Sequence, residues 1–252
     1  VTVWTTTQNI FATRMLLGKI FDLTRNKIRV KKPILGGAFG GKVSMSVEPV
    51  AVLLSKISGR PVKVELNRRE DMNGTNTRHA SAMKIKTGIK SDGTITAQEV
   101  EFLVNTGAYI TGGSSIASAI CHQLCQLYKN INLKLTAAPV YTNITPAGAM
   151  RGYGAPQLMF GHQVHLNKIA RKLGLDFTQL QLQNLVEPNS INPLYNNPQG
   201  NVRAIDCVVE GIKQFDWDRK LSGSSTGPVK RGVGMAVSSI WNGVYGVHID
   251  AT

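Results

Sequence analysis

The stretch Gly36-Gly37-Ala38-Phe39-Gly40-Gly41-Lys42 sets four glycines around one phenylalanine, between a β-branched run and an apolar segment that begins near Glu48. Such a stretch has little to bury in a core. Glycine is typical of places where the backbone comes very close to another group, because it has no side chain to clash. We therefore expect this loop to present its N–H groups, with Phe39 beside them, to an anion or a cofactor.

Other interpretations of this loop explain less of it. A phosphate-binding loop of the ATPase type has the same glycine spacing followed by lysine, but Val43 stands where that loop needs a magnesium-binding serine or threonine. A dinucleotide-binding fingerprint needs GxGxxG inside a βαβ unit with an acidic ribose ligand, and neither is evident. A plain strand-to-helix turn stays open as an alternative.

A second glycine-rich stretch, Gly148-Ala149-Met150-Arg151-Gly152-Tyr153-Gly154-Ala155-Pro156-Gln157, places one arginine and one tyrosine just before an expected helix. Free N–H groups at a helix N-terminus and a nearby guanidinium favour anion binding. Arg151 alone would be interpreted as part of a structural ion pair. Taken with the first loop, it predicts that the two loops form opposing walls of one pocket.

The composition is that of an ordinary globular protein, with 252 residues, 42% of them hydrophobic and 17% charged. No apolar run approaches the roughly 20 residues that cross a bilayer, so we expect no membrane segment. The three cysteines, Cys121, Cys125 and Cys207, form no CxxC pair and no complete disulfide framework, which predicts a reduced, cytoplasmic setting. The absence of an initiator methionine indicates an excerpt of a longer chain.

The net charge of +14 comes from 29 basic and 15 acidic residues. An excess of this size is common in nucleic-acid-binding proteins. Here the basic residues are dispersed and are not interleaved with aromatic residues, so nucleic-acid binding is the minor alternative. The positive charge of the chain would also attract an acidic partner domain or an anionic cofactor.

The hydrophobic pattern mixes helices and strands without regular βαβα alternation, which predicts an α+β fold with mixed sheets and packed helices. The expected helices lie at 8–21, 48–57, 114–127, 158–173, 177–186 and 204–215. The expected strands lie at 1–6, 29–35, 61–66, 133–140, 232–239 and 244–249, with a hairpin joining 83–88 to 95–103. We expect one partial domain over 1–220 and a loop and the start of a truncated, strand-rich domain over 221–252.

Three motifs follow one another along the chain: Thr5–Arg14 (TTTQNIFATR), the Gly36–Lys42 loop and Ala149–Gln157 (AMRGYGAPQ). Together they resemble the molybdenum-cofactor-binding portion of the xanthine dehydrogenase/aldehyde oxidase family, in the family's own order. Shorter similar segments extend the resemblance over nearly the whole chain: Gly59–Lys63, Asn76–His79, Asn105–Tyr109 and Val140–Asn143. The resemblance implies the fold of that molybdopterin-binding region. Within the family, the chain looks most similar to the bacterial xanthine dehydrogenase-type molybdenum subunits.

The resemblance also implies roles for residues at matching positions. Gln8 of the TQN motif would hydrogen-bond near the apical ligand of molybdenum, because an amide donates a proton without adding charge. Tyr153 would stack on a planar substrate. The residues implied to lie near molybdenum are Gln8, Phe39 and Arg151. The same three residues are implied to contact the cofactor, together with Gly37, Gly40 and Gly152. On the substrate side, the resemblance implies Val43 beside Tyr153.

The chain departs from the pattern of the purine-hydroxylating members in two places, and Ala38 stands where a third glycine is usual in the family. Purine-hydroxylating members often carry a glutamate or glutamine where this chain has Val43, and an arginine where it has the apolar stretch Ala117-Ser118-Ala119. The family's catalytic glutamate and its later cofactor loops have no counterpart here, and Glu48 is interpreted as a helix-start residue. The resemblance therefore implies a part of the enzyme that is inactive alone.

The activity implied by the resemblance is an oxidative hydroxylation of a purine, another N-heterocycle or an aldehyde, with oxygen from water. The implied cofactors are molybdenum-molybdopterin, with the cytosine dinucleotide form as one option, and iron–sulfur and FAD groups on partner chains or domains. The implied partners are those components, the remainder of the molybdenum subunit and a small substrate. Two alternatives stay open: a non-catalytic structural or assembly module with the same fold, and a basic nucleic-acid-binding domain.

Overall fold

The computed structural model describes residues 1–129, 132–223 and 228–240, and it mixes helices with small sheets, as expected for an α+β fold. The helices are α1 (Ile10–Phe21), α2 (Glu48–Ser58), α3 (Arg68–Gly74), α4 (Gly113–Leu127), α5 (Ala155–Leu173), α6 (Phe177–Asn184), α7 (Ala204–Phe215) and α8 (Trp217–Leu221). The strands are β1 (Thr2–Trp4), β2 (Arg29–Lys31), β3 (Ser81–Ile89), β4 (Ile95–Gly107), β5 (Leu133–Tyr141), β6 (Ile191–Asn192) and β7 (Asn197–Pro198).

The strands form three small sheets. In the first, β1 and β2 run parallel with Val3 opposite Val30. The second has the order β3-β4-β5, and the expected hairpin joins its first two strands through a turn in which the Lys90 N–H donates to the Thr94 carbonyl at 2.9 Å. The third pairs β6 and β7 antiparallel.

The chain divides into two compact units, each built from separate stretches of sequence. The first contains 1–81, 104–116 and 138–153, and the second contains 82–103, 117–137 and 154–252. Phe39 of the first glycine-rich loop and Arg151 of the second both belong to the first unit.

A small apolar core in the first unit holds the segments that lead into the glycine loop. Helix α1 begins at Asn9, whose Oδ1 accepts the Ala12 N–H at 3.0 Å, and helix α2 ends at Gly59, which adopts a left-handed φ of 64°. These are ordinary start and stop conformations for helices. The core itself is formed by Val3, Leu17, Ile28 and Val52, with Phe21, Leu23, Val30 and Met45 packed against it.

The second unit has a core along α5 and α6. Their inward faces bury Leu158, Leu166 and Leu180 almost completely. Polar side chains are buried there too: His162 on α5 is fully buried and its Nε2 accepts a hydrogen bond from the Gln98 amide at 3.1 Å. His162 therefore belongs to the core of the second unit, because α5 turns its side chain inward.

Two predicted strands are absent from the described residues. Residues 61–66 and 232–239 alternate in exposure as strands do, but neither stretch is assigned to a strand. An extended segment becomes a strand only when a neighbouring segment supplies its hydrogen bonds. The predicted strand at 244–249 lies outside the described residues, and the domain boundary at residue 220 stays a prediction.

Within the described ranges, no helix combines the length and the apolar character that crossing a bilayer requires.

Candidate functional site

The first glycine loop approaches another part of the backbone so closely that one of its positions accepts only glycine. Gly40 has a φ of 98°, and a Cβ placed on it would lie 2.8 Å from the carbonyl carbon and oxygen of Ala149. Real Cβ atoms do not come this close to backbone atoms, and a φ of this value is strained for any other residue. Phe39, just before it, also has a positive φ of 52°.

The group that Gly40 approaches is the second glycine-rich loop, so the structure brings the two predicted loops together. The Arg151 N–H donates to the Phe39 carbonyl at 2.8 Å. The loops therefore join backbone to backbone at this point, instead of facing each other across open space. Both belong to the first compact unit.

Gln8 anchors the first loop. Its side-chain Oε1 accepts the backbone N–H groups of Gly40 at 3.1 Å and Lys42 at 3.2 Å, and its own backbone N–H donates to the Lys42 carbonyl at 2.8 Å. Because both neighbours of Oε1 are donors, the orientation of the amide is determined. The Nε2 end is left as a hydrogen-bond donor, and no bond within the described residues engages it.

Most N–H groups in the second half of this loop are used inside the protein. Gln8 takes those of Gly40 and Lys42, the Gly41 N–H donates to Ala38 and the Val43 N–H donates to Gly40. The expectation that the whole loop presents N–H groups to an anion thus fails from Gly40 onward, because the loop closes on itself and on Gln8.

The second loop is supported by the segment Asn76–His79. The side chain of Asn76 fills the space where a Cβ on Gly148 would lie, at 2.7 Å from that position, and the Gly148 N–H donates to the Thr77 carbonyl at 2.9 Å. The Arg78 guanidinium donates to the Arg151 carbonyl at 2.8 Å. Sequence reasoning gave this segment no role, although it lay in one of the motifs that carry the resemblance.

The supporting segment is itself tied to the end of β4. His79 is buried and its Nδ1–H donates to the Asn105 carbonyl at 2.7 Å. Burial lowers the pKa of His79, and the hydrogen bond to Asn105 opposes this effect only in part. The Asn105 Oδ1 in turn accepts the Gly107 N–H at 2.9 Å and the Thr142 hydroxyl at 2.6 Å. Three motif segments thus form one frame behind the second loop.

The side chains at this junction are exposed and basic. Arg151 and Lys42 are exposed, and within the described residues neither forms an ion pair. Arg151 is therefore not the structural ion pair that it would suggest on its own. Phe39 is 64% exposed, somewhat less than Phe11 and Phe160 elsewhere in the chain.

Tyr153 follows in the same loop and is half-buried. Its hydroxyl lies 2.6 Å from the Ser115 hydroxyl. Val43, at the end of the first loop, is 43% exposed and offers no polar side-chain group.

Glu48, the acid nearest to the first loop in sequence, is occupied in a structural role. It is buried at the start of α2, where its carboxylate accepts the Thr5 hydroxyl at 2.7 Å and the Ser46 N–H at 2.8 Å. The stretches 36–43 and 148–153 contain no acidic residue. The junction therefore offers a cation, an amide donor and an exposed aromatic ring, which suit an anionic group with a planar ring, but it offers no general base.

Comparison with known proteins relates the chain to proteins that bind a molybdopterin cofactor. Residues 1–185 match the family model described as the molybdopterin cofactor-binding domain. The chain is 36% identical over 253 residues to the putative xanthine dehydrogenase molybdenum-binding subunit of Escherichia coli K12, covering 99% of this chain and 34% of the relative. It is 33% identical over 183 residues to the nicotinate dehydrogenase large molybdopterin subunit of Eubacterium barkeri, covering 73% of this chain and 43% of that one.

Among solved structures, the chain is similar to an aldehyde oxidoreductase from Desulfovibrio gigas. The TM-score is 0.81 at 25% identity, and the match covers 89% of this chain and 25% of the solved one. The chain thus spans less than half the length of the curated relatives that it matches.

Proposed function

The chain belongs to the molybdopterin cofactor-binding domain family, and we propose that it is the molybdopterin-binding part of a molybdenum hydroxylase that oxidises a purine, another N-heterocycle or an aldehyde. The resemblance expected from the motifs is confirmed, and so is the α+β fold of this family. The observation that carries the proposal is the junction of the two loops, where the Arg151 N–H meets the Phe39 carbonyl at 2.8 Å beside an anchored Gln8.

The residues at the junction fit a molybdenum-pterin group. When bound, that cofactor supplies a metal centre that takes up the electron pair of the substrate, while the added oxygen comes from water. Gln8 holds its carbonyl end on the loop and keeps its Nε2–H donor for a ligand of the metal. Arg151 contributes positive charge, since no acidic group in the described part of the chain forms an ion pair with it. Gly37, Gly40 and Gly152 have no side chain, so the backbone at these positions can come close to the cofactor.

The substrate side is assigned to Tyr153 and Val43, with Phe39 at the metal centre. Tyr153 offers a ring face for a planar substrate. Because the two loops contain no acidic residue, they supply no carboxylate base to the site, and we propose that the chain is inactive alone. The remainder of the molybdenum subunit completes the cofactor pocket and brings the catalytic glutamate.

The proposal extends to the partners and the setting. Iron–sulfur and FAD groups on partner chains or domains carry the electrons away from the metal. The cytosine dinucleotide form of the pterin is the form that we propose for a bacterial-type subunit. The thiols of Cys121, Cys125 and Cys207 are all free, which supports a cytoplasmic location.

The test is a metal and pterin analysis of the complete enzyme, assembled from this chain's full subunit and its partner chains. We expect molybdenum and pterin close to one per assembly in the active protein. Gln8→Glu keeps the oxygen that accepts the two loop N–H groups but removes the Nε2 donor. We expect it to lower turnover about 100-fold, as loss of one preorganised donor does. Arg151→Ala should lower the molybdenum content.

The matched controls are Gln179→Glu and Arg171→Ala, which change exposed residues of α6 and α5. They should leave molybdenum content and turnover unchanged. An active assembly without molybdenum contradicts the proposal. If Gln8→Glu and Arg151→Ala behave like their controls, the non-catalytic assembly module is the better explanation. Retention on DNA that falls steeply with salt would favour the nucleic-acid alternative instead.

A further inference from the structure

Residues 232–240 have the burial pattern of a β-strand, but no other strand within the described residues pairs with them. Exposed residues alternate with half-buried ones, which are Val233, Met235, Val237 and Ser239. Among the backbone groups of 232–240, only the Val237 N–H has a partner in the described ranges: it donates to Oε1 of Gln163 on α5 at 3.0 Å. The Ser239 hydroxyl is buried and has no partner there either. The segment thus keeps most of the hydrogen-bonding capacity of a strand unused.

The bond to Gln163 distinguishes the two edges of this segment. In a strand, the N–H and C=O of one residue point to one edge, and those of the next residue point to the opposite edge. The edge that carries the Val237 N–H is therefore the one that faces Gln163. The opposite edge carries the N–H and C=O groups of Gly234, Ala236 and Ser238, and none of these groups bonds to a described residue. A row of such groups is a template for pairing with another strand.

The composition of 232–240 is that of a strand inside a sheet. Strands at the edge of a sheet are usually protected by a charged residue, a proline or a bulge. This segment, GVGMAVSSI, contains no charged residue and no proline. An edge of this composition would promote aggregation if it were left open to water. The sequence of the segment therefore favours a covered edge.

The space beside the segment has the apolar lining that suits a neighbouring strand. Residues 235–238 form part of the walls of two cavities, one of about 360 Å³ next to α7 and one of about 240 Å³ next to α5. These elements all belong to the second compact unit. Phe215 in the first cavity is 43% exposed, and Phe160 in the second is 75% exposed. The described residues that line the two cavities include no charged one, so a strand with alternate apolar residues suits this space better than an ionic ligand.

We propose that 232–240 is an inner strand of a sheet, and that an extended segment of the same molybdenum subunit, from outside residues 1–252, pairs with its edge of Gly234, Ala236 and Ser238. The length of the relatives supports this occupant, because the chain covers 34% of the Escherichia coli molybdenum-binding subunit. A strand of the same subunit also pairs at a high effective concentration, whereas a second copy has to associate from solution. The proposal concerns the assembly of the subunit and goes beyond its cofactor-binding function.

The test measures amide hydrogen exchange, residue by residue, in the complete molybdenum subunit. We expect the N–H groups of Gly234, Ala236 and Ser238 to exchange about 100-fold more slowly than amides of an unfolded chain, because each sheet bond must open before its amide exchanges. Ala236→Pro removes the central N–H of this edge and should abolish the slow exchange at Gly234 and Ser238. Ala236→Ser keeps that N–H at the same exposed position and should retain the slow exchange.

A photo-cross-link identifies the segment that covers this edge. A benzophenone maleimide is attached to Ser238→Cys in a Cys207→Ser background, because the exposed thiol of Cys207 would react as well. We expect a product with the mass of one subunit, in which residue 238 is joined to a peptide of that subunit outside 1–252. The same reagent on Gln179→Cys, at an exposed position of α6, should not reach that peptide.

Fast exchange at all three amides overturns the assignment of the strand, as does slow exchange that survives unchanged in Ala236→Pro. A cross-link to a second copy, to another peptide within 1–252 or to a partner chain overturns the choice of occupant, and so does the absence of a cross-link. Molybdenum content is measured on the same samples. Slow exchange in an active assembly without molybdenum contradicts the proposed function alone, whereas fast exchange with normal molybdenum contradicts only the pairing of this strand.

Discussion

Two regions of the molecule use a glutamine to tie segments together, and they do so in opposite surroundings. Gln8 in the first unit is exposed, and its Oε1 accepts two backbone N–H groups of the glycine loop. Gln181 in the second unit is fully buried, and its Oε1 accepts the Tyr128 hydroxyl at 2.7 Å while its Nε2 donates to Gln163 at 2.9 Å.

The difference separates a region whose polar side chains satisfy one another from a region that keeps groups free for the ligand that we propose. In the buried cluster Gln163 also donates to the Tyr128 hydroxyl, so the three side chains satisfy one another. A network of this kind gives a core one defined packing. At the loop junction, strained backbone and exposed side chains cost stability, and the Nε2 donor of Gln8 has no partner within the described residues. Such features concentrate at binding sites.

Among the variants that test this difference between the two regions, we expect the largest effect from a change at Gly40. In Gly40→Ala the new methyl would lie 2.8 Å from the Ala149 backbone, at a φ of 98°. We expect the loop junction to open, the free energy of unfolding to fall by about 3 to 5 kcal/mol, and the molybdenum content of the assembled enzyme to fall with it. Urea unfolding of the chain and metal analysis of the assembly measure the two effects.

The control for Gly40 is Gly59, which also has a left-handed φ, of 64°, but no atom within 4 Å of the Cβ position. Gly59→Ala should cost about 1 to 2 kcal/mol from conformation alone and leave the molybdenum content intact. Equal losses of molybdenum in the two variants would show that the close approach at Gly40 has no special importance.

The opposite region is tested by Gln181→Leu. This change removes the acceptor of the Tyr128 hydroxyl and the donor to Gln163 inside a closed core. We expect the free energy of unfolding to fall by about 2 to 3 kcal/mol, because buried polar groups lose hydrogen bonds. The molybdenum content per folded assembly should not change.

Gln179→Leu, on the exposed side of the same helix, should alter stability by less than about 0.5 kcal/mol. If Gln181→Leu loses cofactor without losing stability, the buried region takes part in cofactor binding and the two regions do not differ as we infer.

The smallest effect, about 2 kcal/mol between pH 7 and pH 5, is expected from the pH dependence of the buried region. Burial, with a smaller contribution from the charge of His165, lowers the pKa of His162 to about 3. In the unfolded chain His162 binds a proton below about pH 6.5, whereas in the folded chain it stays neutral until the pH is much lower. The contribution of His162 to the free energy of unfolding is therefore complete above about pH 6.5. It is lost as the pH falls toward 3, by up to about 1.4 kcal/mol per pH unit.

Unfolding free energies at pH 7, 6 and 5 test this dependence. His162→Gln should flatten the decline on the acid side, whatever it does to stability at pH 7. His165→Gln should flatten it less, since His165 is only half-buried and donates or accepts at the Thr87 hydroxyl. An acid decline that is equally steep in wild type and His162→Gln would show that other groups cause it.

Much of the fold could be predicted from local patterns. The helix at Ala204–Phe215 begins and ends where the sequence predicted, and the β3-β4 hairpin forms around Gly93. Helix α3 was missed although its signal was present: Asn67 and Glu70 form a capping box, with bonds of 3.0 and 2.8 Å between each side chain and the other residue's N–H. This pattern is local, and it could have been recognised.

The candidate site could be predicted in its residues but not in its contacts. The two loops were identified because glycines around one aromatic or cationic side chain are rare in a core, and Gln8 was identified only through the resemblance of the TQN motif to a known family. Arg78 and Ser115 were not given roles, because a hydrogen bond to the Arg151 carbonyl or to the Tyr153 hydroxyl depends on segments 73 and 38 residues apart. The individual roles of the predicted site residues stay predictions.

The amino-acid sequence by itself determined the helices, their caps and the positions where only glycine serves, because these depend on the steric limits of a few neighbouring residues. Only the tertiary structure decided which loops meet, which extended segments find a partner strand, that His162 is buried and that the hydroxyls of Tyr153 and Ser115 form a hydrogen bond. These depend on groups distant in the chain, since a hydrogen bond or a buried contact exists only when packing brings both partners together.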